Sequence, residues 1–287
     1  MADKDVSSSS TMQPYGSVPT PNVSTELWRL VKTGRVYSLG FPIAADTPNG
    51  STALPFEMRL HLPHDQGTMG DGPFAEGTMR LSTSDHMSTH IDALCHYSEM
   101  VDGRRLLYTD IPVAEAEGPD GFSALGVDLC PPIIARGILL DVPGFKKLDV
   151  LPDSYGIEAD ELEACARSEG VEIAAGDCVL IRTGFSQYRV GQQERFTTVG
   201  AGPTPPACAW LGDRKIAIVG ADTLSFEKVP SPHLGHLELT RRRGIPIMNQ
   251  IDCEALARDR VYEFLFIALP LKFRGGTASP LNPIAIS

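Results

Sequence analysis

The chain has no pair of cysteines two residues apart, no apolar run approaching a membrane span, and no excess of basic side chains. Each absence excludes something. The six cysteines stand alone at 95, 130, 165, 178, 208 and 253 in 287 residues. A chain of this length buries a core without a disulfide scaffold, so reduced thiols and a cytoplasmic setting are expected. A spanning helix needs about 20 consecutive apolar residues, so a membrane protein is not expected. Lysine and arginine number 25 against 36 acidic residues, a net charge of −11. That balance argues against nucleic acid and against an anionic membrane surface as partners. The opening "MADKDVSSSSTMQPYGSVPTPNVS" has no apolar leader core and is rich in Ser, Thr and Pro. Residues 1–24 are therefore expected to be a disordered tail, with one domain over 25–287.

Histidine is also scarce, with seven in the chain, and three of them fall inside "HMSTHIDALCH", His86 to His96. Around this cluster the sequence reads as an α/β protein. Glu26 to Lys32 reads as a helix with Thr25 as N-cap, and "RVYSLGFPI" as a strand. Segments 58–63 and 78–84 read as strands flanking a Gly-rich loop. "GILLDV", "CVLIRTG", "IAIVGAD" and "IPIMNQ" are continuous apolar runs, as strands covered on both faces require. A helix over 158–170, ended by Gly170, lies between the first two, and "TPPACAWLGDRK" opens a helix with a proline pair. The last stretch, from "FLFIALP", reads as a strand, a Gly turn and an irregular tail.

The spacing of the cluster is His86-x3-His90-x-Asp92-x3-His96. On a helix His86 and His90 would share a face and Asp92 and His96 would swing away. On an extended chain all four point one way, and a turn can also bring them together. Two imidazoles with a carboxylate are a common set around a catalytic divalent ion. Ser84, Ser88 and Thr89 add small polar groups able to support such ligands.

The segment resembles the H-x-G-T-H-x-D-x-x-x-H signature of the metal-dependent cyclase family, which contains bacterial kynurenine formamidases and isatin hydrolases. Ser88 stands where that family usually has Gly. "RGILLDV", "GDCVLIRTGF", "VGADTLSFE" and "LPLKFRGGTASPLNPIAI" resemble its later blocks, in the same order. The resemblance implies a swivelling β/β/α fold with a central mixed β-sheet and surrounding helices, in a homodimer or larger homo-oligomer. It implies that His86, His90 and Asp92 hold the metal and that His96 is the general base or acid. It further implies hydrolysis of an amide, lactam or ester bond in a small aromatic or cyclic metabolite. The alternative is a cyclisation, dehydration or isomerisation on the same fold.

"VPSPHLGHLELTRRRGIPIMNQ" is the second informative stretch. By the same resemblance His236 belongs at the centre, where it supports a ligand, contacts the substrate or transfers a proton, with His233 at the substrate or behind the ligands. The family's second-metal glutamate falls on Asn249. An amide balances a second cation poorly, so one ion, Mn or Zn, is expected. Phe41, with Phe56, Phe74 and Trp28, is expected to wall the pocket. His61 and His64 are expected at the surface, the arginines at 241–243 at a solvated helix end, and Cys95 outside any dyad with His96.

Overall fold

The computed structural model describes residues 15–21, 24–48, 50, 54, 56–67 and 74–287. Most of the tail expected over 1–24, and the middle of the Gly-rich loop, lie outside the described residues. The described part of the tail is packed down, because Tyr15 and Val18 are apolar anchors and both are buried. The Tyr15 hydroxyl accepts from Leu94 N at 2.8 Å and donates to the Leu125 carbonyl at 2.6 Å.

The strands of the main sheet and of one outer ribbon, in chain order, are β1 (Val36–Ser38), β2 (Glu57–Leu62), β3 (Thr78–Ser82), β4 (His90–Asp92), β5 (Ile133–Asp141) and β6 (Cys178–Arg182). They continue as β7 (Ile218–Ala221), β8 (Ile247–Asn249), β9 (Glu263–Ala268), β10 (Ala278–Pro280) and β11 (Ile284–Ile286). Nine of them form one mixed sheet in the order β1-β11-β9-β5-β6-β7-β8-β4-β10. The middle four, β5 to β8, are parallel, and the flanking pairs are antiparallel. This is the central mixed sheet with surrounding helices that the sequence led us to expect.

The apolar runs are continuous because the parallel strands are covered on both sides. Cys178 and Leu180 of β6 enter one hydrophobic core, Val179 and Ile181 the other. Leu139 of β5 joins the first, Ile138 and Leu140 the second. The period-2 alternation of a strand thus feeds two apolar layers. The second layer is capped by α1 (Ala159–Glu169), which ends on Gly170 at φ +71°, and α2 (Pro205–Asp213). Thr204 caps α2 by accepting from Ala207 N at 3.4 Å.

Three expectations change. The first helix covers only Thr25–Trp28, and its cap is Ser24, not Thr25. Residues 35–43 contribute only three strand residues, Val36–Ser38, paired with β11. The irregular tail contains β10 and β11, which complete the sheet against β4 and β9. No helix among the described residues is long and apolar enough to cross a membrane.

Candidate active site and metal centre

The site forms where β4 enters the sheet, beside the carboxyl ends of the parallel strands, the usual place for a ligand in an open α/β sheet. β4 lies between β8 and β10, with His90 opposite Asn249 and Pro280, and Asp92 opposite Ile247 and Ala278. His90 and Asp92, two apart on a strand, share a face. His86 and His96 do not lie on that strand. Turns on either side fold them back to it, so convergence comes from turns and not from one extended segment. The turn before β4 places Ser88 at φ +55°. A residue with a Cβ pays roughly 1–2 kcal/mol for the left-handed region, which accounts for a glycine at this point of the signature.

The imidazoles are aimed. His90 Nδ1 lies 2.8 Å from the Ser88 carbonyl and donates to it, leaving Nε2 with its lone pair 3.4 Å from Asp92 Oδ1. Asn249 Nδ2 lies 3.4 Å from that Nε2, and a proton or a metal ion between Nε2 and Oδ1 would make their contact favourable. His86 Nε2 lies 3.1 Å from His96 Nδ1, while His86 Nδ1 faces Asp85 Oδ1 at 3.7 Å. Asp85 is fixed in turn by Thr277 N, Thr277 Oγ1 and Ala278 N. His90, with Nδ1 held from behind by the Ser88 carbonyl and Nε2 directed inward, has the usual arrangement of a metal-binding histidine. One atom each from His86, Asp92 and His96 lies within 4.8 Å of the others. Asp92 Oδ1 and His86 Nδ1 are buried without a hydrogen bond among the described residues. Asn249 Nδ2 donates to Asp92 Oδ2 at 3.2 Å. These donors and orphaned atoms fit one divalent ion.

The field of the site separates its groups. Burial pushes His96 down to about 4, against the attraction of Asp92, so its imidazole is neutral at neutral pH. Burial also lowers His86. Burial opposes ionisation of Asp92, but the three imidazoles of His90, His96 and His86 around it outweigh burial and hold the carboxyl far below its usual range. A cavity of about 500 Å³ opens onto these residues, bordered also by Ser84, Tyr97, Ser225, His233, His236 and Asn249. No Lys or Arg lines it among the described residues.

A family model described as Putative cyclase matches residues 32–228, more than half of the chain. The chain belongs to the cyclase family. It is 28% identical over 208 residues to a kynurenine formamidase of Paracidovorax citrulli, covering 71% of this chain and 77% of that one. It is 26% identical over 228 residues to an isatin hydrolase of Roseibium aggregatum, covering 75% and 76%. Among solved structures, the crystal structure of a novel cyclase superposes with a TM-score of 0.84 at 28% identity, over 95% of this chain and 96% of that one.

This member of the cyclase family departs from the sequence reading in its pocket wall. Trp28 and Phe74 are exposed, at 57% and 73%, and neither they nor Phe41 and Phe56 border the cavity. Phe41 instead lies under the Arg189 guanidinium, 4.6 Å from its ring centre, and its backbone N donates to Thr89 Oγ1 at 2.9 Å. Ser88 is also behind the site. Its hydroxyl accepts from Arg189 at 2.7 Å and donates to the Phe41 carbonyl at 3.3 Å. His236 is buried and His233 is half-exposed at the rim. His61 and His64 are on the surface. Arg241, Arg242 and Arg243 pair with Asp110, Glu99, Glu238 and Asp213, away from the cavity. Cys95 is buried and burial pushes its thiol up to about 12, so it is no nucleophile.

Sequence reasoning missed Asp85, Tyr97 and Glu227. Asp85 and Tyr97 flank two of the predicted histidines in the chain, which was the only available signal. Glu227 reaches His236 from nine positions away with no periodicity to mark it.

Proposed function

We propose that this chain is a metal-dependent hydrolase of an amide, lactam or ester bond in a small aromatic or cyclic molecule. The observation that carries the reading is the convergence of His86, His90 and Asp92 beside a half-buried, neutral His96 at one cavity. The names of the formamidase and isatin hydrolase relatives support the reaction class.

His86 Nε2, His90 Nε2 and an Asp92 oxygen would hold one Mn or Zn ion. When bound, such an ion acidifies water and polarises a carbonyl. His90 is preferred to His96 as the third ligand because its Nδ1 is anchored to the Ser88 carbonyl and its Nε2 faces Asp92. That leaves His96 to take the proton of the attacking water. Asn249 keeps a hydrogen-bond donor on Asp92, where a glutamate would offer a second ion an anionic ligand. The same substitution supports the alternative, a cyclisation or dehydration driven by the same ion and base. Six buried free thiols support a reducing, cytoplasmic setting. A homo-oligomer is supported by the β2–β3 ribbon, whose Met58, Leu60, Met79 and Leu81 share one exposed face.

The test is metal analysis of the purified protein, then assays with N-formylkynurenine, isatin and simple lactones. Metal-dependent hydrolysis of any of them supports the proposal. A protein indifferent to Mn and Zn sinks it, and a metal protein that leaves all of them intact moves the assignment to the alternative.

A further inference from the structure

Glu227 accepts more hydrogen bonds than any other carboxylate among the described residues. It is 1% exposed, and each oxygen accepts two hydrogen bonds. Oε1 accepts from His236 N at 3.0 Å and from His236 Nδ1 at 2.5 Å. Oε2 accepts from Gly235 N at 3.2 Å and from the Ser231 hydroxyl. A carboxylate has about four lone-pair sites, and here all are taken. Glu227, His233 and His236 lie close enough together to suggest a second ion site. The hydrogen bonds argue against it, since an ion there would have to displace the bond to His236 Nδ1. The bonds to His236 pull Glu227 down to about 2 against its burial, so the group is an anion throughout the neutral range.

With Nδ1 held by Glu227, His236 can offer only Nε2 to the cavity that it borders. Nε2 has no hydrogen-bond partner among the described residues. The Tyr97 ring touches both the His236 and the His96 rings, at 4.9 and 4.5 Å between centroids, so the two imidazoles serve one substrate volume.

We infer that Glu227 is a positioning residue that makes His236 the proton donor to the leaving group, opposite His96 as the base. The inference rests on the hydrolase reading. In the step, an O–H bond of water breaks, its proton goes to His96, and the new C–O bond forms. The C–N or C–O bond to the leaving group breaks, and the proton on His236 Nε2 goes to the departing atom. While Nε2 carries that proton, Glu227 neutralises the imidazolium. Proton exchange with solvent returns both histidines to their starting forms.

The test compares Zn-loaded wild type with Glu227→Gln, a variant of the same shape without the charge. The metal content is expected to be unchanged, and loss of an ion would make Glu227 a ligand and overturn the inference. Proton NMR of the wild type is expected to show a low-field Nδ1–H resonance that His236→Gln removes and Glu227→Gln shifts upfield. An unmoved resonance overturns the couple whatever the substrate. In hydrolysis, Glu227→Gln is expected to lower kcat for phenyl acetate by about 10²-fold, the low end of general acid catalysis, with KM unchanged. For p-nitrophenyl acetate, whose leaving group needs no proton, kcat is expected to hold within a few-fold. Equal losses on both esters reduce Glu227 to a structural role. If wild type cleaves no ester, amide or lactam, the hydrolase reading and the donor role fall together, and the NMR result alone decides the couple.

Discussion

His86 and His96 point ring nitrogens at each other across 3.1 Å, Nε2 to Nδ1, where neither atom has another hydrogen-bond partner among the described residues. In the proposed function His86 is the metal ligand of this pair and His96 the base. Added Mn or Zn is expected to raise the unfolding temperature, since a ligand at 100 times its Kd stabilises by about 2.7 kcal/mol. His86→Ala is expected to abolish that shift in calorimetry. His96→Ala is expected to retain it while losing turnover. A His96→Ala protein that no longer takes up metal would transfer His96 from base to ligand.

Asn249 occupies the position from which a carboxylate would reach a second ion. Its Oδ1 is buried without a hydrogen-bond partner among the described residues, and its Nδ2 faces Asp92 and His90. Wild type is expected to bind one ion per chain by elemental analysis, and Asn249→Glu is expected to bind a second. A wild type with two ions contradicts the reading of Asn249.

Ser88 combines a strained backbone with a useful hydroxyl. Ser88→Gly relieves φ +55° but loses the contact to Arg189, whereas Ser88→Ala loses the contact and keeps the strain. Alanine is therefore expected to be less stable than glycine by about 1 kcal/mol in denaturant unfolding. The reverse order would mean that the backbone at this turn shifts on substitution.

Glu169 carries a pH signature. Burial raises its carboxyl from 4.5 to about 7, and Asp141 nearby adds to the shift although Asp141 N donates to it at 2.9 Å. A raised acid binds its proton more tightly in the folded state. Its contribution is thus fully present below pH 4.5 and is lost as pH climbs through about 7. Glu169→Gln keeps the hydrogen bond and removes the titration. Its melting temperature relative to wild type is expected to rise over that interval and then level off. A difference flat with pH refutes the assignment.

The β2–β3 ribbon is paired only with itself in the sheet topology, and its apolar face is open. A two-stranded ribbon is marginal on its own in water. Leu60→Lys together with Leu81→Lys is expected to reduce the mass measured by light scattering to that of one chain. An unchanged assembly, or a monomeric wild type, removes the ribbon from any interface.

The parallel strands could be read from the chain because each apolar run is set by burial on both faces, as in Cys178–Ile181. The metal-type residues could be read because four of them fall in eleven positions. What surrounds them could not. Arg189 reaches Ser88 from a distant segment, while Asp85 and Glu227 stand close in sequence to the histidines they face, where one carboxylate looks like another. The expected aromatic wall failed for the same reason. Composition says that phenylalanines exist, but only the folded chain puts Phe41 under Arg189 and leaves Phe74 in solvent.

β4 has its hydrogen-bonding neighbours far downstream, in residues 247–249 and 278–280. A ribosome that has just made "HMSTHIDALCH" has therefore made ligands with nowhere to stand. Nearly 190 more residues must follow Asp92 before β10 closes the second edge of its strand. The proposed ion's place would be among the last features of the molecule to form, and a growing chain would expose its histidines to any metal long before the strand that carries two of the proposed ligands is closed.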